Sequence, residues 1–315
     1  MVLEQPLRSF FMQLAKSKPL NKAAKKWGLK FGASQVVAGA TLEDAMKNVQ
    51  LLNSKGLHCT LDHLGEFVTE KEEAIEATEA CLNVLRAINE TGAMCNLSLK
   101  MTQLGLDIDE EFCLDNMKRI CQTALSFNIF IRIDMEDYSH CEQTLRILSI
   151  LRKDYDNVGT VIQAYLHRAE ADVAALKGVP LRLVKGAYKE SEKVAFQDKA
   201  KVDENYITII QNHLDSGSYT AIASHDHMII DKVKAYADKN KIPKEQFEFQ
   251  MLYGFREALQ KELMEEGYKV RLYVPFGTDW FGYFMRRLAE RPQNIAFALR
   301  GFFKKIKNEK KPNPM

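Results

Sequence analysis

Short runs of apolar and β-branched residues recur along the chain, each bounded by polar or glycine-containing turns. Eight of them predict strands: Leu57–Leu64, Cys95–Lys100, Ile129–Glu136, Val158–Tyr165, Leu181–Tyr188, Tyr219–Asp226, Phe247–Gly254 and Val270–Gly277. The segments between them carry helical periodicity. Leu145, Leu148 and Leu151 fall three apart, and Met117, Ile120, Cys121 and Ala124 follow the i, i+3, i+4 rule. Strand–helix alternation demands parallel pairing with right-handed crossovers. Eight such units predict an α/β fold, a (β/α)8 TIM barrel, because closure removes both sheet edges. An open doubly wound sheet is the competing arrangement. Residues 1–50 read as extra N-terminal helices outside the barrel, residues 51–303 as the barrel itself, and residues 304–315 as a basic, proline-containing tail.

A barrel puts its chemistry at the C-terminal strand ends. Glu66, Lys100, Asp134, Gln163, Lys185, His225, Gln250 and Tyr273 fall late in or just after the predicted strands. Parallel strands are covered on both faces, so polar groups there are either a site or an internal hydrogen-bond and ion-pair network. The densest signal is RLVKGAY, Arg182–Tyr188, in which Gly186 permits close backbone approach. A buried Arg or Lys needs an anion: a bound phosphate or carboxylate, or a barrel carboxylate such as Asp134 or Glu136. The adjacent Arg286 and Arg287 follow the last strand amid Tyr273, Trp280, Phe281, Tyr283 and Phe284, and suit a small carboxylate through planar bidentate donors.

Composition narrows the classes. The 315 residues are 46% hydrophobic and 27% charged, with 44 Lys plus Arg against 42 Asp plus Glu. A net charge of +2 argues against disorder and against a general nucleic-acid-binding surface. The first residues lack a signal-peptide pattern, and no long apolar run appears. Six cysteines without C-x-x-C spacing suit a reducing, cytoplasmic setting better than a disulfide framework or a zinc site. Neither a dinucleotide fingerprint nor a P-loop occurs. Two other chemistries stay open: a Schiff-base lyase or aldolase using Lys185 or Lys100, and a metal-dependent hydrolase using His225 and His227.

Six blocks resemble the bacterial monofunctional proline dehydrogenases: Ala38–Glu66, Leu97–Gly105, Ile131–Glu136, Arg182–Tyr188, Phe249–Gly254 and Arg271–Asn294. The resemblance implies a distorted barrel that binds FAD and oxidises L-proline to Δ1-pyrroline-5-carboxylate by hydride transfer to flavin N5. It implies that Arg286, Arg287 and Lys100 clamp the substrate carboxylate. Tyr273 and Leu252 would pack the ring, Tyr188 and Asp134 would complete the pocket, and Glu66 would pair with Arg286 as a gate. Gln163, Arg182, Val184, Lys185, Gly186, Ser224 and His225 would bind the cofactor. Lys189 stands where many members carry an aromatic residue, which puts ring stacking there in doubt. The resemblance further implies a quinone as electron acceptor, and it leaves open a hand-off of product to a separate pyrroline-5-carboxylate dehydrogenase. The basic stretch Arg300–Lys311, with Phe302 and Phe303, could touch anionic lipid at the inner face of the membrane.

Overall fold

A computed structural model describes residues 33–65 and 68–290 of the chain, together with Phe11 and Leu14. Eight parallel strands pair in sequence order and the last closes on the first. They are β1 (His58–His63), β2 (Cys95–Leu99), β3 (Ile131–Ile133), β4 (Val158–Gln163), β5 (Leu181–Val184), β6 (Thr220–Ala223), β7 (Phe247–Leu252) and β8 (Val270–Phe276). The ring is the barrel that the sequence predicts, and the open doubly wound sheet is excluded. All eight predicted strands are present, but the ladders end early. At β3, β5 and β6 the shortfall is largest, because Asp134–Glu136, Lys185–Tyr188 and Ser224–Asp226 leave the ladder to build the rim.

Nine α-helices are described: α1 (Leu42–Asn53), α2 (Lys71–Thr91), α3 (Glu110–Ser126), α4 (Cys141–Leu151), α5 (Ala169–Ala175), α6 (Lys199–Asp215), α7 (His227–Asn240), α8 (Glu257–Glu265) and α9 (Trp280–Glu290). Side chains of Thr41, Asp109, Asp198 and Asp226 cap α1, α3, α6 and α7 by accepting from first-turn amides. Helix α1 runs across residue 50 and packs against β1 and β8. None of the described helices is long and apolar enough to cross a membrane.

Strand side chains alternate between two environments. One set, including Leu61, Leu97, Ile131, Leu183 and Phe249, packs outward against Leu85, Met117, Ile147 and Tyr206 of the helices. Each such side chain contributes about 1.5–3 kcal/mol by leaving water. All six cysteines are buried free thiols, five of them in this shell and Cys141 in a smaller cluster around α4. Burial pushes the Cys121 thiol up to about 12, so it packs as an unreactive hydrophobe. The other set points into the barrel and is polar: Asp62, Ser98, Arg132, Arg182, Glu248, Gln250 and Arg271 are all buried.

A separate apolar cluster joins the two ends of the described chain. Ala33, Val36, Val37 and Leu64 pack against Trp280, Tyr283, Phe284, Met285 and Leu288 of α9. The Ala38 amide donates to the Pro275 carbonyl at 2.9 Å, which ties this segment to β8. Gly254, at φ 79°, lies so close to the segment that a Cβ would sit 1.8 Å from the Gln35 carbonyl oxygen. Only glycine fits there.

Candidate active site

Two ionic layers fill the barrel. In the lower one, Glu248 accepts from Arg271 Nε at 2.7 Å, from the Tyr219 hydroxyl at 2.8 Å and from Gln250 Nε2 at 2.5 Å. Burial opposes ionisation of Glu248, but Arg271 outweighs it and brings the carboxyl down to about 2. Arg132 donates to the Thr160 and Pro180 carbonyls at 2.8 and 2.5 Å. Gly159 on the adjacent strand makes room, since a Cβ there would lie 3.0 Å from the Arg132 guanidinium and 2.1 Å from the Pro180 oxygen. Burial, with Arg182 nearby, lowers Arg132 to about 9, which still leaves it charged at neutral pH.

The upper layer is centred on Asp134, one residue beyond β3. Its Oδ1 accepts from Arg182 NH1 at 2.7 Å and from the Ser98 hydroxyl at 3.2 Å, and its Oδ2 accepts from the Tyr273 hydroxyl at 2.7 Å. Lys100 Nζ lies 4.0 Å from Asp134 and donates to both oxygens of Asp62, at 3.1 and 3.3 Å. Arg182 uses Nε for Gln250 at 2.6 Å and NH2 for Ser98 at 3.0 Å, and its guanidinium lies over the Tyr273 ring at 5.2 Å. Burial, reinforced by Asp134 and Asp62, holds the Tyr273 phenol well above its usual range, so it remains a donor.

Of the partners expected for RLVKGAY, the structure shows the barrel carboxylate: Arg182 pairs with Asp134. Lys185 goes elsewhere, because residues three apart on a strand face opposite ways. Its ammonium reaches Asp203 of α6 at 2.5 Å and Asp226, the cap of α7, at 3.3 Å. Gly186, at φ 104°, packs on Tyr165 where a Cβ would come within 2.1 Å of the ring. Both lysines proposed as Schiff-base nucleophiles are thus engaged by two carboxylates each, the reverse of the apolar or cationic setting that activates such an amine.

Most of the remaining candidates fall at or after the strand ends. Gln163 Nε2 donates to the Glu136 carbonyl at 2.8 Å, and the Glu136 side chain accepts from the Thr102 hydroxyl at 2.6 Å. Burial raises the Glu136 carboxyl despite that bond. His225 Nε2 accepts the Leu252 amide at 2.9 Å, which assigns the ring proton to Nδ1 and fixes the imidazole beside that leucine. The Ser224 hydroxyl accepts from the Asp226 amide at 3.1 Å. Val184 ends β5 half-buried, and Tyr188 is exposed in the loop beyond it. Arg286 and Arg287 are half-buried on α9, which starts four residues after β8, and Arg287 lies 5.1 Å from the Tyr283 ring centroid. Glu66, its expected pairing with Arg286, and the tail at 304–315 lie outside the described residues. His227 opens α7, and among the described residues no group of three His, Cys, Asp or Glu could hold a metal ion.

Sequence reasoning overlooked Asp62, Glu248, Arg271 and Arg132. Their signal was parity: each occupies the same strand face as a residue that was singled out, Asp62 by way of its neighbour Lys100. Register across the closed ring then brings them together.

The comparisons with known proteins agree with this geometry. The family model for proline dehydrogenase matches residues 45–299. Proline dehydrogenase 2 of Bacillus subtilis is 51% identical over 95% of this chain and 99% of its own. The proline dehydrogenase of Deinococcus radiodurans is 39% identical over 96% of this chain and 100% of its own. Among solved structures, proline utilization A (PutA) from Bdellovibrio bacteriovorus, inactivated by N-propargylglycine, superposes with a TM-score of 0.77 at 28% identity, covering 84% of this chain and 32% of that one. With a barrel of this topology and a match over most of its length, the chain belongs to the proline dehydrogenase family.

Proposed function

We propose that this chain oxidises L-proline to Δ1-pyrroline-5-carboxylate, with FAD as its cofactor and a quinone as the final electron acceptor. The observation that carries this reading is the cluster of Lys100, Asp134, Arg182 and Tyr273 at the mouth of a barrel of this family.

The residues present fit a flavin. An isoalloxazine is a flat ring with acceptors along one edge, so it needs donors and room for close approach. Arg182 commits three of its five N–H groups to Gln250, Asp134 and Ser98, which leaves two without a partner among the described residues. Gly186 supplies a backbone stretch where a side chain is sterically excluded. Gln163, Arg182, Val184, Lys185, Gly186, Ser224 and His225 would hold FAD. When bound, FAD supplies a two-electron acceptor that a quinone can discharge.

The chain's own residues orient the substrate. Arg286, Arg287 and Lys100 bind the carboxylate, Leu252 and Tyr273 wall the pyrrolidine ring, and Tyr188 covers it from the β5 loop. Asp134 keeps Tyr273 and Arg182 in register. It is a poor proton acceptor for the substrate amine, because Arg182, Ser98 and Tyr273 already occupy its oxygens. The amine therefore reacts as the free base, a form favoured by the surrounding cations. We place the protein in the cytoplasm, in peripheral contact with the membrane that holds the quinone, and passing its product to a separate pyrroline-5-carboxylate dehydrogenase.

One absorbance spectrum tests the reading. Purified protein should carry flavin bands that bleach when L-proline is added without oxygen. A protein that neither carries nor takes up flavin, or whose flavin stays oxidised with proline, overturns it.

A further inference from the structure

Gln250 is the joint between the two ionic layers. Its amide nitrogen donates to Glu248 Oε1 at 2.5 Å, and its amide oxygen accepts from Arg182 Nε at 2.6 Å. Only one orientation of that amide serves both neighbours. An ionised carboxylate only accepts and a guanidinium only donates, so turning the amide over sets acceptor against acceptor and donor against donor. Glu248 is 2% exposed and is held ionised by Arg271 and the Tyr219 hydroxyl. Arg182 is in turn held at three nitrogens: Nε by Gln250, NH1 by Asp134 and NH2 by Ser98. Loss of the Nε contact leaves the guanidinium free to pivot about its other two.

We propose that Glu248 is a positioning residue for the cofactor site: it fixes the Gln250 amide, which anchors Arg182 with two N–H groups presented to FAD. The cofactor half of this inference rests on the flavin reading above; the protein half does not. Replacing Glu248 by glutamine removes the charge that dictates the Gln250 orientation. The new amide can donate to the Gln250 oxygen, and the Gln250 NH2 group then confronts Arg182 Nε–H.

Glu248→Gln, Gln250→Met and the double variant separate positioning from stability. In the protein as purified, exchange of the Arg182 Nε–H proton with solvent is followed by nitrogen NMR. Each single variant should accelerate it about tenfold, and the double variant no further than Gln250→Met alone. The dissociation constant for FAD should follow the same pattern, about tenfold weaker in each single variant without multiplication in the double. A purely structural Glu248 would lower the melting temperature equally over Gln or Met at position 250 and leave Nε exchange untouched. That result, unchanged FAD affinity in Glu248→Gln, or effects that multiply, overturns the proposal. If Glu248→Gln does not fold, Tyr219→Phe removes one hydrogen bond from the same carboxylate. Its effect, about threefold, should vanish when residue 250 is Met, and an equal effect in both backgrounds overturns the proposal. A response at Arg182 in a protein that takes up no FAD leaves the positioning intact and sinks the flavin reading instead.

Discussion

The two floors of the barrel use the same chemistry for different ends. Below, Glu248 has its oxygens filled by Arg271, Tyr219 and Gln250, and Arg132 rests on backbone carbonyls, so every partner is protein. Above, Asp134 and Asp62 face Arg182 and Lys100, and the donors of Arg182 are only partly used. The lower floor holds two cations to one carboxylate deep in the barrel, where its hydrogen bonds fix shape. The upper floor sets two carboxylates against two cations at the C-terminal strand ends. A buried ion pair is thus no sign of a site by itself; its place at the mouth is.

The sharpest way to break that contrast is Arg271→Met. It leaves buried Glu248 without the cation that is hydrogen-bonded to it, and should cost about 3–5 kcal/mol of stability in urea unfolding, with the KM for proline unchanged. A stable variant with a raised KM would merge the two floors. At the mouth the reverse is expected. Arg286→Met or Arg287→Met should raise the KM for proline by a factor equivalent to about 2–5 kcal/mol, with the urea midpoint in place. An unaltered KM in both would remove the carboxylate clamp.

The lower end should also be the acid-sensitive one. His213 on α6 is buried, with Nδ1 2.7 Å from the Thr220 hydroxyl and Nε2 3.2 Å from the Val179 carbonyl. Burial lowers it to about 4. A depressed histidine means that the unfolded chain binds the extra proton, so this stability is complete above pH ~6.5 and is lost as pH falls towards 4. The loss is about 3 kcal/mol, read as the pH dependence of the unfolding free energy, and His213→Gln should flatten the curve between those limits. A curve of the same slope in the variant would place the acid sensitivity elsewhere. The smallest effect is expected at Lys100→Ala, where kcat against pH should show the apparent pKa of the bound amine rising as a cation is removed. Identical profiles would end the free-base account.

The barrel was legible because its strands are short apolar runs separated by amphipathic helices, a pattern that survives without any knowledge of register. Arg182 was legible as a buried cation in need of an anion. Its partner was narrowed only to a bound anion or a barrel carboxylate such as Asp134 or Glu136, because Asp134 follows another strand and only closure of the ring sets the two within 2.7 Å. Asp62 was hidden inside HCTLDH, where one acid in a run of mixed polarity looks like any strand residue. Glu248 fell just outside a family block and Arg271 opened one without an assigned role, and they meet only through the β7–β8 register that pairs Gln250 with Arg271. Lys185 was grouped with Arg182 by proximity in sequence, whereas the twofold alternation of a strand sends the two side chains to opposite faces.

The arginine helix α9 owes its seat to the cluster formed with residues 33–37 and Leu64, outside the main core. Its docking partner is made early and the helix itself late, so during synthesis the ring can close before the mouth is furnished. The same division lets α9 lift away while the staves stay paired, which should show as amide exchange in Trp280–Glu290 well before any in the strands.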